Sequence, residues 1–258
     1  MTRFSDGSAG DADYGRIGTG YAKIRQPDPR IAAQFHEPFG DARLVLNVGA
    51  GAGSYEPTDR IVTAIEPSKS MRAQRPQHLA PAIDGISDHL PFDDGAFDAS
   101  MASVTIHQWK NLETGLGEMR RVTDGPVVIL TFDPVAPEHW WIMDYVPQLL
   151  EIEARRMPAI DRVAAAIGAD SEVRTLLIPY DCTDGFVQAF YARPERLLDP
   201  EVRLATSAWS FLDEGLEDAF VEKLSDDLQS GDWDEKYGRF RYLTEFDGGL
   251  RLVIGRTA

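Results

Sequence analysis

Leu44-Val45-Leu46-Asn47-Val48-Gly49-Ala50-Gly51-Ala52-Gly53-Ser54 is the stretch whose reading decides the fold. An apolar run ends in three glycines on alternate positions. A second apolar run, Ile61-Val62-Thr63-Ala64-Ile65, closes on Glu66. Strand, glycine-rich turn, crossover and second strand ending in a carboxylate make the front half of a nucleotide-binding α/β unit. Glycines leave no side chain between backbone and ligand, so the turn can touch it. A carboxylate can accept hydrogen bonds from both vicinal hydroxyls of a ribose.

Working outward, Ile31, Ala32, Phe35 and Phe39 fall at helical spacing over Pro29–Phe39, and Gly40-Asp41 ends that helix. Pro57 and Thr58-Asp59 leave a very short or irregular crossover between the first two strands. Ser68 caps a helix that carries Met71 and stops at Arg75-Pro76. A third strand is weakly marked near Ala80–Ile83. Phe97–Val104 and Val127–Phe132 are the next strands, the latter apolar and β-branched enough to be central. Leu112, Leu116, Met119 and Val122 place a helix between them. An amphipathic helix is expected over 213–228. Tyr237–Phe246 and Leu250–Gly255 read as a hairpin around Asp247-Gly248-Gly249. The expected division is an N-terminal arm and helix (1–39), an α/β core (40–133 with 206–258) and an aromatic-rich helical cap (134–205).

Composition bounds the partners. The 258-residue chain is 43% hydrophobic and 26% charged, ordinary for a globular protein. Its net charge of −16 offers no basic footprint for DNA or RNA. No apolar stretch approaches the roughly 20 residues of a membrane helix, and the N-terminus lacks the apolar core of a signal peptide. Cytoplasmic location is the expectation, as a monomer or a homodimer. The single cysteine, Cys182, excludes an internal disulfide. His36, His78, His89 and His139 share no metal-ligand spacing, and no metal is expected.

Four motifs, taken in order and at this spacing, resemble the class I S-adenosylmethionine (AdoMet)-dependent methyltransferases, type 11-like. They are the Leu46–Gly53 loop, Glu66, Leu90-Pro91-Phe92 with Gly95-Ala96-Phe97-Asp98, and Ala102-Ser103-Val104-Thr105-Ile106-His107-Gln108-Trp109. The resemblance covers about residues 40–132 and the closing 237–256. It implies a Rossmann-like α/β fold with a seven-stranded sheet of order 3-2-1-4-5-7-6, the seventh strand antiparallel, and a helical cap inserted after strand 5. It implies AdoMet as cofactor, S-adenosylhomocysteine as product and a small-molecule methyl acceptor. By the same resemblance Gly49, Gly51 and Gly53 line the methionine moiety, Glu66 holds the ribose, and Asn47 and Ala50 belong to the cofactor site as well. Pro67, Met71, Ser87 and Asp88 face the adenine, and Ala102 or Ser103 meets the cofactor near the sulfonium. Two positions depart from the family pattern. Asn47 stands where an acid is common, and Ile86 where an aspartate reads the adenine amino group. Residues 133–200 resemble the cap of one bacterial branch, densest at Asp181-Cys182-Thr183-Asp184-Gly185-Phe186.

Methyl transfer from a sulfonium can rest on positioning and exclusion of water. An acceptor that carries a proton is helped by a general base. His107 leaves the fourth expected strand at the end where ligands of open α/β sheets bind, which makes it either that base or a histidine opening a helix. Tyr14 and Tyr21 either close over the cofactor or simply pack. Asp133, Trp140, Asp181 and Asp184 are candidates for substrate contact, against turn or core roles for each. Two other classes share the strand, glycines and carboxylate. A nicotinamide-dependent oxidoreductase would want glycine at Ser54. A non-catalytic AdoMet-binding protein would have no space beside the methyl group.

Overall fold

The computed structural model describes residues 10, 21–133, 135–136, 140–168 and 170–256, without the side chains of Tyr21 and Ala22. Six strands form the main sheet: β1 (Leu44–Val48), β2 (Ile61–Ile65), β3 (Ala99–Ser103), β4 (Val127–Phe132), β5 (Glu172–Thr175) and β8 (Leu250–Gly255). Their order is β2-β1-β3-β4-β8-β5. The first four are parallel, and β8 runs antiparallel to both β4 and β5. Two short strands, β6 (Ile178–Pro179) and β7 (Glu245–Phe246), form a separate antiparallel pair.

The three runs read as β1, β2 and β4 are those strands, residue for residue. They were legible because a parallel strand covered on both faces is apolar at nearly every position. β4 is buried throughout. Its alternate residues feed two cores, as a period of two requires. Val128, Leu130 and Phe132 share a core with the helix Pro29–His36 and with Trp140, Trp141 and Phe186. Val127 and Ile129 pack with the helices Leu112–Arg121 and Ile160–Ile167.

Three expectations are corrected. The strand near Ala80–Ile83 is reduced to one bridge between Ile65 and Ile83, which leaves six strands in the sheet rather than seven. Pro76, Pro81 and Gly85 crowd that segment, and proline cannot donate to a ladder. The C-terminal hairpin is absent in the form expected. Residues 232–242 are a helix, Asp232–Tyr237, followed by a 3₁₀ turn, Gly238–Tyr242. The buried residues there are Trp233, Tyr237 and Phe240, a spacing of four and three that belongs to a helix. β8 takes its outer partner from β5, which lies inside the stretch expected to be cap.

Residues beyond β4 pack against its C-terminal end. Phe186 meets Phe132 edge-to-face at 5.2 Å. Trp141 joins Trp140 and Trp233 in edge-on contacts, and its indole N–H donates to the Tyr191 carbonyl at 2.8 Å. No helix among the described residues is long and apolar enough to cross a membrane.

Candidate active site

The chain leaves β1 through Gly49, Gly51 and Gly53, all with positive φ (71°, 52° and 94°). That region favours glycine because it lacks a Cβ. The Gly49 and Ala50 N–H groups both donate to the Ile65 carbonyl at 2.9 Å, which ties the loop to the end of β2. A Cβ on Gly49 would lie 2.3 Å from Thr105 Oγ1, so the loop sits tight against the end of β3. A Cβ on Gly51 would meet only Met71 Cε, at 3.4 Å. At Gly51 the loop therefore offers bare backbone facing open space.

Glu66 lies under the loop, 7% exposed. One carboxylate oxygen accepts from the Gly51 N–H and the other from the Ser68 N–H, both at 2.8 Å. A carboxylate oxygen can accept more than one hydrogen bond, so the group is of a kind that can hold a hydroxyl as well as the backbone.

Behind the loop, Asn47 Nδ2 donates to Glu56 Oε1 at 2.9 Å. Glu56 is held by a two-pronged Arg75 ion pair at 2.9 and 2.8 Å. This explains the departure at position 47. An acid there would face the buried Glu56 carboxylate, whereas an amide can donate to it. Asn47 Oδ1 and Ser54 Oγ are buried beside the loop with no hydrogen-bond partner among the described residues.

The loop opens on a cleft of about 570 Å³. Of the residues expected to hold a cofactor, Asn47, Gly49, Ala50, Gly51, Gly53, Glu66, Pro67, Met71, Ser87, Asp88 and Ser103 all line it. Ala102 does not: it is fully buried on the other face of the sheet, because adjacent strand residues point to opposite sides. Ile86 lines the cleft as well, so the apolar departure faces it directly.

His107 does not line that cleft. It borders a second, smaller pocket with Phe132, Glu153, Met157, Phe186 and Gln188. Val104 and Arg25 border both cavities and so form the wall between them. Val104 is β-branched at φ +48°, a conformation held against its own preference.

The residues expected on a substrate disperse. Asp133 is a turn residue whose Oδ1 accepts from the Val135 N–H. Trp140 is buried in the main hydrophobic core, with strand residues such as Val128 and Leu130 in the same cluster. Asp181 is at the surface, paired with Arg30 at 2.7 Å. Asp184 is 1% exposed and reaches the cleft only through Tyr55 and Arg25. Tyr14 and the Tyr21 side chain lie outside the described residues.

Sequence reasoning missed Arg25, His36, Tyr55, Glu56, Gln108 and Trp109 on the cleft wall. Gln108 and Trp109 were signalled, since they close the quoted motif after β3. His36 Nε2 lies 2.8 Å from the Tyr55 carbonyl, so that nitrogen carries the proton. Burial pulls the His36 imidazole below its ordinary value. Burial, with the Asp184 carboxylate beside it, pushes the Tyr55 hydroxyl upward and keeps it a donor.

A methyltransferase domain family matches residues 46–129, the span from the glycine loop to β4. Across the fold the chain is similar to an Anabaena variabilis protein assigned to the methyltransferases of an antibiotic biosynthesis pathway. The two are 30% identical, over 91% of this chain and 99% of that one, with a TM-score of 0.85. A segment of 70 residues is 37% identical to the ubiquinone/menaquinone biosynthesis C-methyltransferase UbiE of Citrifermentans bemidjiense. That segment is 24% of this chain and spans only 30% of the length of that relative. An AdoMet-dependent methyltransferase of Thermotoga maritima shares the fold at 13% identity, over 95% and 98% of the two chains, with a TM-score of 0.52.

Proposed function

This chain belongs to the AdoMet-dependent methyltransferases, and we propose that it transfers the cofactor's methyl group to a small molecule admitted beside Val104. The observation that carries the reading is the pairing of Gly51, bare to the cleft, with the Glu66 carboxylate beneath it. When bound, AdoMet supplies an electrophilic methyl group on a sulfonium.

The residues present suit that cofactor. The Glu66 carboxylate lines the cleft beneath Gly51, where it would accept from the ribose hydroxyls. Gly51 would leave room for the methionine chain, and Asn47 Oδ1 and Ser54 Oγ, unpartnered among the described residues, would serve its polar ends. Met71 and Ile86 would sandwich the adenine, with Ser87 and Asp88 at its edge. Ser103 and Val104 then stand where the methyl group has to emerge, at the wall shared with the second pocket.

The acceptor's reacting end would enter that second pocket. Phe132, Met157 and Phe186 would give it an apolar wall, and His107 would take a proton where the acceptor carries one. The stretch 134–205, apart from β5, would serve as the cover that selects the acceptor. The acidic surface fits a small molecule better than a nucleic acid.

Thermal unfolding with S-adenosylhomocysteine, AdoMet, NAD and NADP in parallel tests the class. A ligand at a hundred times its dissociation constant adds about 2.7 kcal/mol. Stabilisation by the two adenosyl compounds alone is expected. A response to NAD or NADP instead overturns the proposal.

A further inference from the structure

We propose that Asp184 is a positioning residue that locks the glycine loop and the wall between the two cavities into one unit, through Tyr55 and Arg25. The inference rests on reading the cleft as the cofactor site.

Tyr55 follows the three glycines and is itself at φ +61°. A non-glycine residue stays there only when its surroundings over-determine it. Its hydroxyl donates to Asp184 Oδ2 at 2.9 Å and lies 3.4 Å from the Asp28 N–H. Its ring packs edge-on against Phe35 at 6.2 Å. Its carbonyl accepts from His36. The residue is 3% exposed, yet it lies two positions beyond Gly53 and borders the cleft. Whatever displaces Tyr55 displaces the loop.

Asp184 is the far anchor. Its Oδ1 accepts from Arg25 Nε at 2.5 Å, and its Oδ2 is shared by Tyr55 and the Arg25 Nη2 at 3.4 Å. Arg25 stands 5.8 Å over the Phe186 ring. The backbone fixes the same pairing, since the Gly185 N–H donates to the Ile24 carbonyl at 3.0 Å. A Cβ on Gly185 would fall 2.3 Å from Ile24 Cγ2, so this close approach requires the glycine of Asp184-Gly185-Phe186.

A buried charge is a poor way to add stability, because apolar groups of the same shape serve as well or better. A carboxylate with one cation and one hydroxyl on it does something apolar packing does not. It sets the direction of both partners, and those partners border the cofactor cleft on one side and the acceptor pocket on the other.

The test is calorimetric titration of S-adenosylhomocysteine into the wild-type chain, Tyr55→Phe, Asp184→Asn and the double variant, well below each melting temperature. Tyr55→Phe keeps the ring and loses one hydrogen bond. It should raise the dissociation constant about three- to tenfold at unchanged stoichiometry. Asp184→Asn should raise it at least as much. The double variant should bind no more weakly than Asp184→Asn alone, because both act through one bond. Tyr55→Phe serves alone should Asp184→Asn not fold. Dissociation constants within twofold of wild type, with only the melting temperature lowered, overturn the inference and leave the cofactor reading intact. No binding by the wild-type chain overturns that reading and this inference with it.

Discussion

Glu66 holds the glycine loop from below: one carboxylate oxygen takes the Gly51 N–H at 2.8 Å and the other takes the Ser68 N–H at 2.8 Å. Glu66→Ala leaves two backbone donors without their acceptor. It should cost about 1–3 kcal/mol in urea unfolding. It should also abolish stabilisation by S-adenosylhomocysteine, which separates a binding defect from a folding one. A variant stabilised as strongly as wild type contradicts the assignment.

Gly49 and Gly51 share a left-handed backbone but not a neighbourhood. Gly49→Ala adds a clash with Thr105 to the backbone strain and should cost about 2–4 kcal/mol. Gly51→Ala meets only Met71 and should cost about 1–2 kcal/mol. Ligand binding should nevertheless fail in Gly51→Ala, since its methyl group enters the cleft. Equal destabilisation of the two variants would show that the loop is not seated as described.

Asp28 sets an acid limit on stability. It is buried at the start of the helix Pro29–His36. Burial alone would raise its carboxyl, but hydrogen bonds from the Arg30 side chain and from the Thr183 and Arg30 N–H groups hold it down at about 2. The folded value is below the unfolded one, so its stabilisation is complete above about pH 4 and disappears as pH falls toward 2. Asp28→Asn should be less stable than wild type by on the order of 2 kcal/mol at pH 6. The gap should close near pH 2. A gap independent of pH rules out this origin.

Arg75 and Glu56 are a buried ion pair behind the loop, 3% and 1% exposed in their side chains. Arg75→Met leaves a buried carboxylate with only Asn47 beside it and should cost about 3–5 kcal/mol. The paired replacement of Arg75 and Glu56 by methionine and leucine should recover most of that loss, as measured by urea midpoints. A double variant as unstable as Arg75→Met would mean the pair does more than neutralise itself.

His107 borders the second pocket and not the cleft. His107→Gln should bind S-adenosylhomocysteine within about twofold of wild type. With an acceptor that must lose a proton, methyl transfer should fall by about 10²-fold or more. A large loss of cofactor affinity would place the residue elsewhere in the mechanism.

What could be read in advance was local. β1, β2 and β4 are apolar at all but one position each, and the glycines and Glu66 sit at the ends of β1 and β2, so strands and loop came from neighbouring residues alone. What could not be read depends on distant ones. Tyr55 and Asp184 are 129 positions apart, and Arg25 and Asp184 are 159 apart, so no spacing rule joins them. β5, with its burial alternating between half-buried and exposed, carries no apolar run to mark it. Tyr237 and Phe240 were misassigned to a strand because aromatic residues suit strands and helices alike once their other neighbours are unknown. Ala102 and Ser103 show the limit of motif transfer. They are adjacent in one motif, yet the pleat buries the first and turns the second to the cleft.

The most direct test of the central claim is a crystal structure of the S-adenosylhomocysteine complex. The account predicts the ribose hydroxyls within hydrogen-bond distance of the Glu66 carboxylate, the homocysteine chain along Gly49–Gly53, and the sulfur at the Ser103–Val104 wall. Ligand bound away from the glycine loop, or in the loop with its ribose out of reach of Glu66, would contradict it.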